Sequence, residues 1–120
     1  MKTLVIVAHG SRLQQSNDEV INFSNKLKDL NKNKINIRYA FLELTKPSIT
    51  ECIEDIINNE DAREIQVLPY FLAEGKHVKV DIPNEIEELR TNNKNVEIEL
   101  LPHLGKFDGL ANFILTSLED

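Results

Sequence analysis

The chain has 120 residues, and its 14 Lys and Arg against 20 Asp and Glu give a formal net charge of −6. Hydrophobic residues make up 41% and charged residues 28%, an ordinary globular composition that excludes a disordered or collagen-like chain. Proteins that bind nucleic acids need a basic surface, and the excess of acidic residues in this chain does not predict one. We therefore expect no nucleic-acid partner. The length predicts a single domain spanning residues 1–120.

The cysteine content and the length of the first apolar run predict the cellular compartment of the protein. Cys52 is the only cysteine, which permits no internal disulfide and fits the reducing cytoplasm. The run from Leu4 to Ala8 is shorter than the roughly 7–15 residues of a signal-peptide core and the ~20 residues of a membrane span. We therefore expect a soluble cytoplasmic protein with no membrane partner.

The first half of the chain alternates strand and helix patterns. Leu4–Ala8 is a continuous β-branched run, typical of a strand buried on both faces. A helical stripe follows at Val20, Phe23, Leu27 and Leu30. The second strand is predicted over Ile35–Leu42, and Thr45 with Pro47 opens the next helix. The buried stripe of that helix contains Ile49, Cys52, Ile53, Ile56 and Ile57, so we expect Cys52 to pack as a small hydrophobe.

The second half repeats the alternation. A third strand over Ile65–Leu68 stops at Pro69, and a helix begins around Asp81 and Pro83. Val96–Leu100 alternates like an edge strand, and the final helix carries Leu110, Phe113, Ile114 and Leu118. This order predicts an α/β domain with an open, mostly parallel four-stranded sheet and helices on both faces, in the flavodoxin-like order 2-1-3-4.

The three histidines all follow predicted strands: His9 follows the first, His77 the third and His103 the fourth. Ligands of parallel sheets bind beyond the carboxyl ends of the strands. In the order 2-1-3-4 the first and third strands are neighbours, so His9 and His77 should face each other, with Glu43 beside them. Two imidazoles and a carboxylate predict an open site for a divalent transition metal. A single histidine would favour a hydrogen-bonded loop residue, whereas three at the same edge favour the metal site.

The segment His9-Gly10-Ser11-Arg12 supports a second interpretation. Gly10 allows a close backbone approach, and Ser11 can cap the next helix, whose free N–H groups would bind an anion. A His-Gly pair also resembles the phosphohistidine loop of the phosphoglycerate mutases. Ala8 stands where that chemistry needs an arginine, which argues against this alternative.

The loop Tyr70–Val78 is apolar at first, then contains glycine, then is basic, which suits a flat apolar ligand with an anionic rim. Alternatively, Phe71 and Leu72 simply cap the core. Several basic residues near strand ends or adjoining loops could supply local positive charge: Arg12, Arg38, Lys46, Lys76, Lys79 and Lys106.

Three segments in this order resemble the small sirohydrochlorin chelatases of the class II tetrapyrrole chelatase family: Leu4–Arg12, Ala40–Leu44 with Pro47-Ser48-Ile49, and Pro69–Leu72 through Gly75–Val78 to Asp81-Ile82-Pro83. The resemblance implies a lyase that inserts a divalent metal into sirohydrochlorin without ATP, in cobalamin or siroheme biosynthesis. Co²⁺ is the first expectation for the metal, with Ni²⁺ or Fe²⁺ as alternatives. The resemblance implies no cofactor beyond this metal substrate.

The resemblance also implies roles for individual residues. His9 and His77 match the metal-binding histidines, with His9 also the catalytic proton acceptor, and Glu43 matches a position that contacts the substrate. The loop against the macrocycle corresponds to Leu72, Ala73, Glu74, Gly75, Lys76 and His77. Larger members contain two fused units, so a single unit implies a homodimer.

This chain departs from the family pattern at two positions, and neither removes a proposed ligand. Ala8 stands where glycine is expected, and Val80 stands where an acid often precedes Asp81. His103 has no role that the resemblance transfers.

The expected chemistry agrees with an open two-histidine site. Insertion removes two pyrrole protons while the metal exchanges water for ring nitrogens, so the site needs a base and ligands that can release the ion. Imidazole, with an ordinary pKa of about 6.5, can do both, whereas a closed four-ligand site would hold the metal too tightly. The alternatives are a non-catalytic protein that carries a metal or tetrapyrrole, and a structural subunit whose site has decayed.

Overall fold

The computed structural model describes residues 2–32 and 34–119, so Met1, Asn33 and Asp120 lie outside the described residues. The described strands are β1 (Thr3–Ala8), β2 (Asn36–Phe41), β3 (Glu64–Pro69) and β4 (Glu97–Leu100). The described helices are α1 (Gln14–Asn31), α2 (Ile49–Glu60), α3 (Ile82–Asn92) and α4 (Asp108–Ser117). A short π-helical turn spans His77–Asp81, and a 3₁₀ turn spans Leu104–Lys106.

The strands form one parallel sheet in the order β2-β1-β3-β4, which confirms the predicted fold class and strand order. β1 pairs with both β2 and β3, so that Ala8 lies opposite Phe41 and Val7 lies opposite Pro69. Val5, Ile6 and Val7 are fully buried because the strand is covered on both faces. β4 is an edge strand, as its alternating pattern predicts.

Helices α1, α2 and α3 cover the two faces of the sheet. Alternate β1 side chains enter two cores, with Val5 and Val7 in one and Ile6 and Ala8 in the other. The larger core also contains the buried faces of α2 and α3, while the smaller core receives α1 through Val20 and Leu27. The predicted placement of helices on both faces is therefore confirmed for these three helices.

The α1 stripe differs by one position from the prediction. Leu30 is exposed, and the buried residues of α1 are Asn17, Val20 and Ser24. Phe23 is half-buried and stacks on Tyr70 with the ring centroids 5.0 Å apart. The helical face that meets the sheet therefore includes two small polar side chains that a hydrophobic pattern does not detect.

The start of α2 also differs from the prediction. Ser48, not Thr45, is the N-cap residue: its side chain accepts a hydrogen bond from the backbone N–H of Glu51, whose carboxylate accepts from the backbone N–H of Ser48. Pro47 precedes the helix. The helix continues through Asn58 and Asn59 to Glu60.

Helix α4 forms where its apolar pattern predicts, but none of its described residues is buried. Phe113 is 68% exposed and Leu118, just beyond the helix, is 75% exposed. The radius of gyration is 14.7 Å, against about 13.6 Å for a compact domain of this length. Helix α4 therefore buries none of its described side chains against either face of the sheet. Among the described residues, no helix is both long and apolar enough to cross a bilayer.

Cys52 lies on the buried face of α2, which confirms its predicted role as a small core residue. Burial disfavours the thiolate and raises the pKa of this thiol to about 11, although the nearby Arg38 acts in the opposite direction. Because thiolates, and not thiols, are the reactive species, the side chain should be inert in the native protein.

We expect Cys52 to react with a disulfide reagent such as DTNB only when the protein unfolds. At pH 8 the native protein should show slow labelling that follows its unfolding rate, and the same protein in denaturant should react at once. Rapid stoichiometric labelling of the folded protein would show that α2 does not shield the thiol.

Candidate active site

The residues that follow β1, β2 and β3 meet at one edge of the sheet. Beyond the last paired residues, the backbone N–H of Leu42 donates to the carbonyl of Ala8 at 2.9 Å, and that of Glu43 donates to the carbonyl of His9 at 3.1 Å. These bonds continue the β1–β2 pairing past the strand ends and place His9 directly beside Glu43.

His9, Glu43 and His77, all three predicted at this edge, lie together in the structure. One ligand atom from each residue lies within 4.8 Å of the others, so these three residues could hold one metal ion. The two imidazole rings face each other with centroids 4.8 Å apart and planes tilted by 58°. His77 starts the π-helical turn, so it is not in the loop where it was predicted.

The cluster is open on one side. The side chains of His9 and His77 are each 42% exposed, and that of Glu43 is 53% exposed. A site built from two imidazoles and one carboxylate leaves coordination positions for other ligands. The arrangement can therefore hold a transition metal while a second molecule approaches it.

The Nδ1 atom of each imidazole has its own hydrogen-bond partner. Nδ1 of His9 lies 2.9 Å from the carbonyl oxygen of Gly10, and Nδ1 of His77 lies 2.8 Å from Oδ2 of Asp81. Both oxygens are acceptors, so each Nδ1 must carry the hydrogen and donate it. The Nε2 atoms are then the nitrogens that can bind a metal.

His9 and Glu43 can share a proton. Nε2 of His9 lies 2.9 Å from Oε1 of Glu43, a separation at which two acceptors need a hydrogen between them. A metal ion that binds Nε2 takes the place of this proton. The pair is therefore able to accept and pass on a proton at the position where a metal would bind.

Gly10 makes the contact between the two loops possible. Its φ angle is +94°, a value that residues with a side chain rarely adopt. A Cβ atom at this position would lie 1.9 Å from the carbonyl oxygen of Glu43. The close approach expected of Gly10 is thus toward the backbone of the neighbouring loop.

Asn17 holds the other side of the His9–Arg12 loop, a role that the sequence pattern did not predict. Its side chain is 3% exposed, accepts from the backbone N–H of Ser11 at 2.9 Å and donates to the carbonyl of Ser11 at 2.8 Å. Helix α1 starts after this loop and has Leu13 as its N-cap residue, so the prediction that Ser11 caps the helix is wrong. The available signal was an asparagine three residues before Val20 on the buried stripe.

The predicted macrocycle loop is exposed at the same end of the sheet. Phe71 packs against the larger core, whereas Leu72, Ala73, Glu74, Gly75 and Lys76 are exposed. The alternative that both apolar residues cap the core is therefore correct only for Phe71. The backbone N–H of Gly105 donates to the carbonyl of Phe71 at 3.0 Å, and a Cβ atom on Gly105 would lie 1.8 Å from the carbonyl oxygen of Leu72.

His103 lies outside the metal-ligand cluster found among the described residues. It is half-buried and lines an open cavity of about 280 Å³ together with Glu74 and Lys106. Arg38 does not supply free positive charge, because Asp55 and Glu60 on α2 accept hydrogen bonds from its guanidinium. Burial opposes its charged form, but these carboxylates raise the pKa of Arg38 above its ordinary value.

We expect Gly10→Ala to weaken Co²⁺ binding by roughly 10- to 100-fold, the range typical of changes that misorient metal ligands. The added methyl group must push the Glu43 backbone away and separate Glu43 from His9. Titration followed by the visible absorption of bound Co²⁺ would measure the loss. Gly109→Ala is the matched control, since a Cβ atom there meets nothing within 4 Å. Equal affinity of folded Gly10→Ala and Gly109→Ala would contradict this account.

Comparison with known proteins places this geometry in a family. A sequence profile of the CbiX family matches residues 3–120. A sirohydrochlorin cobaltochelatase of Sulfurisphaera tokodaii is 31% identical over an alignment of 123 positions. The alignment covers 100% of this chain and 93% of that protein.

Two solved structures share the fold. A cobalamin (vitamin B12) biosynthesis CbiX protein from Marinobacter aquaeolei VT8 superimposes with a TM-score of 0.76 and 26% identity, covering 98% of this chain and 94% of the other. SirB from Bacillus subtilis with Fe³⁺ gives a TM-score of 0.80 and 26% identity, covering 96% of this chain and 45% of SirB. Together with the profile match over nearly the whole chain, these likenesses show that the chain belongs to the CbiX family.

Proposed function

We propose that this protein is a lyase that inserts Co²⁺ into sirohydrochlorin without ATP, as a step in cobalamin or related tetrapyrrole biosynthesis. The observation that carries the proposal is the convergence of His9, Glu43 and His77 on one open site in a CbiX-family chain. The reaction needs no cofactor beyond the metal substrate. We also propose a cytoplasmic location, which the single free cysteine supports.

The choice of Co²⁺ over Fe²⁺ has two supports. The Sulfurisphaera tokodaii relative is a sirohydrochlorin cobaltochelatase. Nitrogen ligands also favour Ni²⁺ and Co²⁺ over Fe²⁺ in the general order of divalent affinities. Ni²⁺ and Fe²⁺ are the alternative metals in the assay.

The site residues divide the reaction between them. His9 and His77 hold the metal through Nε2 while the pyrrole nitrogens approach from the open side. Once the metal has passed from His9 to the pyrrole nitrogens, the freed Nε2 accepts a proton that the macrocycle loses and shares it with Glu43, which also contacts the substrate. The exposed loop from Leu72 to Lys76 lies against the macrocycle, with an apolar side chain for the ring and an ammonium group for its carboxylate rim.

A non-catalytic carrier of metal or tetrapyrrole is the alternative function. A carrier needs ligands that retain the ion and has no use for a base. The contact of His9 with Glu43 favours catalysis, because it couples metal binding to the movement of a proton. Turnover measurements separate the two functions.

We expect the protein to accelerate Co²⁺ insertion into sirohydrochlorin, followed by the change in the visible spectrum of the macrocycle. His9→Ala should slow the reaction by about 10²–10⁴-fold, the usual contribution of a general base, and also lose a metal ligand. His77→Ala should raise the KM for Co²⁺ strongly. His103→Ala, the matched control outside the cluster, should have a much smaller effect.

Two results would contradict the proposal. Metallation no faster than the uncatalysed reaction with Co²⁺, Ni²⁺ and Fe²⁺ would leave the carrier function. A folded His9→Ala protein with nearly wild-type turnover would show that the active site lies elsewhere.

We further propose that the protein is a homodimer, with a second copy covering α4. This helix exposes Phe113, Ile114 and Leu115, and it carries Asp108 but no Lys or Arg, which disfavours an anionic lipid surface. The chain covers 45% of Bacillus subtilis SirB, so the remainder of SirB is long enough to hold a second unit of this size. A second copy would supply that unit here.

Sedimentation at micromolar concentration should give the mass of a dimer for the wild-type protein. Phe113→Glu should shift the protein toward monomer, because it places a charge in the apolar contact, whereas Thr116→Glu on the same helix should have little effect. A wild-type monomer with full chelatase activity would overturn the dimer and leave the metal site unaffected.

A further inference from the structure

The side chains of His77 and Asp81 form a pair that metal coordination alone does not explain. Nδ1 of His77 donates to Oδ2 of Asp81 at 2.8 Å. Asp81 directly precedes α3, but its carboxylate makes no capping hydrogen bond to that helix. Among the described residues, this carboxylate accepts its hydrogen bond from the imidazole.

The backbone around this pair is anchored to the core. The next residue, Ile82, is fully buried, and its N–H donates to the carbonyl of His77 across the π-helical turn. π-helical turns are rare and occur frequently at functional sites. The turn holds His77 and Asp81 in fixed relation while their side chains remain partly exposed.

The two imidazoles therefore differ in their partners. His9 donates through Nδ1 to the neutral carbonyl of Gly10, whereas His77 donates to a carboxylate. A carboxylate behind a metal-binding histidine fixes the tautomer and ring orientation and strengthens electron donation from the other nitrogen. Glu43 contacts Nε2 of His9, the nitrogen that would bind the metal, so it cannot play this supporting part for His9.

We propose that Asp81 is a positioning residue that holds His77 as the Nδ1–H tautomer and makes it the anchoring metal ligand of the site. His9 is then the ligand that exchanges between metal and proton. This inference rests on the proposed role of His77 in metal binding, and it adds a division of labour between the two histidines that their identity alone does not determine.

An ordinary surface pair between residues four apart is the competing explanation. Such pairs contribute little to stability, and a pair that only decorates the surface has no part in metal binding. The two explanations differ in what happens to the His77 ring. Only a positioning role predicts that removal of the carboxylate changes the tautomer and the metal affinity of a protein that is still folded.

The test compares Asp81→Ala and Asp81→Asn with Glu87→Ala, which removes an exposed carboxylate paired with Arg90 on α3. Two-bond ¹H–¹⁵N spectra of the three histidines report the tautomer in the metal-free protein. The wild type and Glu87→Ala should show His77 protonated at Nδ1, and Asp81→Ala should shift it toward Nε2–H. Asp81→Asn should keep the tautomer, because its amide oxygen still accepts.

Titration with Co²⁺ alone gives the second readout. Asp81→Ala should bind Co²⁺ about 10- to 100-fold more weakly than the wild type, and Asp81→Asn should fall between them because it lacks the charge. In turnover, the KM for Co²⁺ should rise far more than kcat falls. Should Asp81→Ala not fold, the reduced Co²⁺ affinity of Asp81→Asn carries the test.

The proposal is overturned if folded Asp81 variants keep wild-type Co²⁺ affinity, or if the wild-type His77 is protonated at Nε2. Neither readout needs sirohydrochlorin. A protein that binds Co²⁺ with the expected Asp81 dependence but does not metallate the macrocycle would refute the proposed enzyme function and leave the role of Asp81 standing.

Discussion

The parallel pairing of β1 with both β2 and β3 is the constraint on which the rest of the structure depends. Val5, Ile6 and Val7 are fully buried, and each such side chain stabilises the fold by about 1.5–3 kcal/mol. Because all three strands run in the same direction, their carboxyl ends meet at one edge. The burial that stabilises the sheet thereby also brings His9 and Glu43 into contact and places His77 across from them.

Close backbone contacts stiffen the edge without closing it. Gly10 lies against the Glu43 carbonyl, Gly105 lies against the Leu72 carbonyl, and the buried Asn17 holds Ser11 by two hydrogen bonds. These contacts use backbone atoms and small residues, so the ligand side chains remain partly exposed. A rigid base with an open face suits a site that must present a metal to a large flat molecule and then release it.

Local patterns predicted most of the fold. The continuous apolar run of β1 and the helical stripe of α2 each depend on residues close together in sequence, and the alternation of strands and helices restricts the topology to a few parallel arrangements. Hydrophobic patterns predicted burial wrongly where the burial of a helix face depends on whether another element packs against it. Leu30 and Phe113 belong to apolar stripes and are nevertheless exposed, because no element of the described chain covers them.

The sequence by itself determined which strands His9, Glu43 and His77 follow, and therefore that these residues share one edge of the sheet. Only the tertiary structure decided which nitrogen of each imidazole is available, because this depends on Asp81 behind one ring and the Gly10 carbonyl behind the other. It also decided that Asn17 serves the His9 loop. The physical reason is one of scale: periodicity places residues to within a turn or a strand end, whereas hydrogen bonds and metal ligation depend on differences of a few tenths of an ångström between loops.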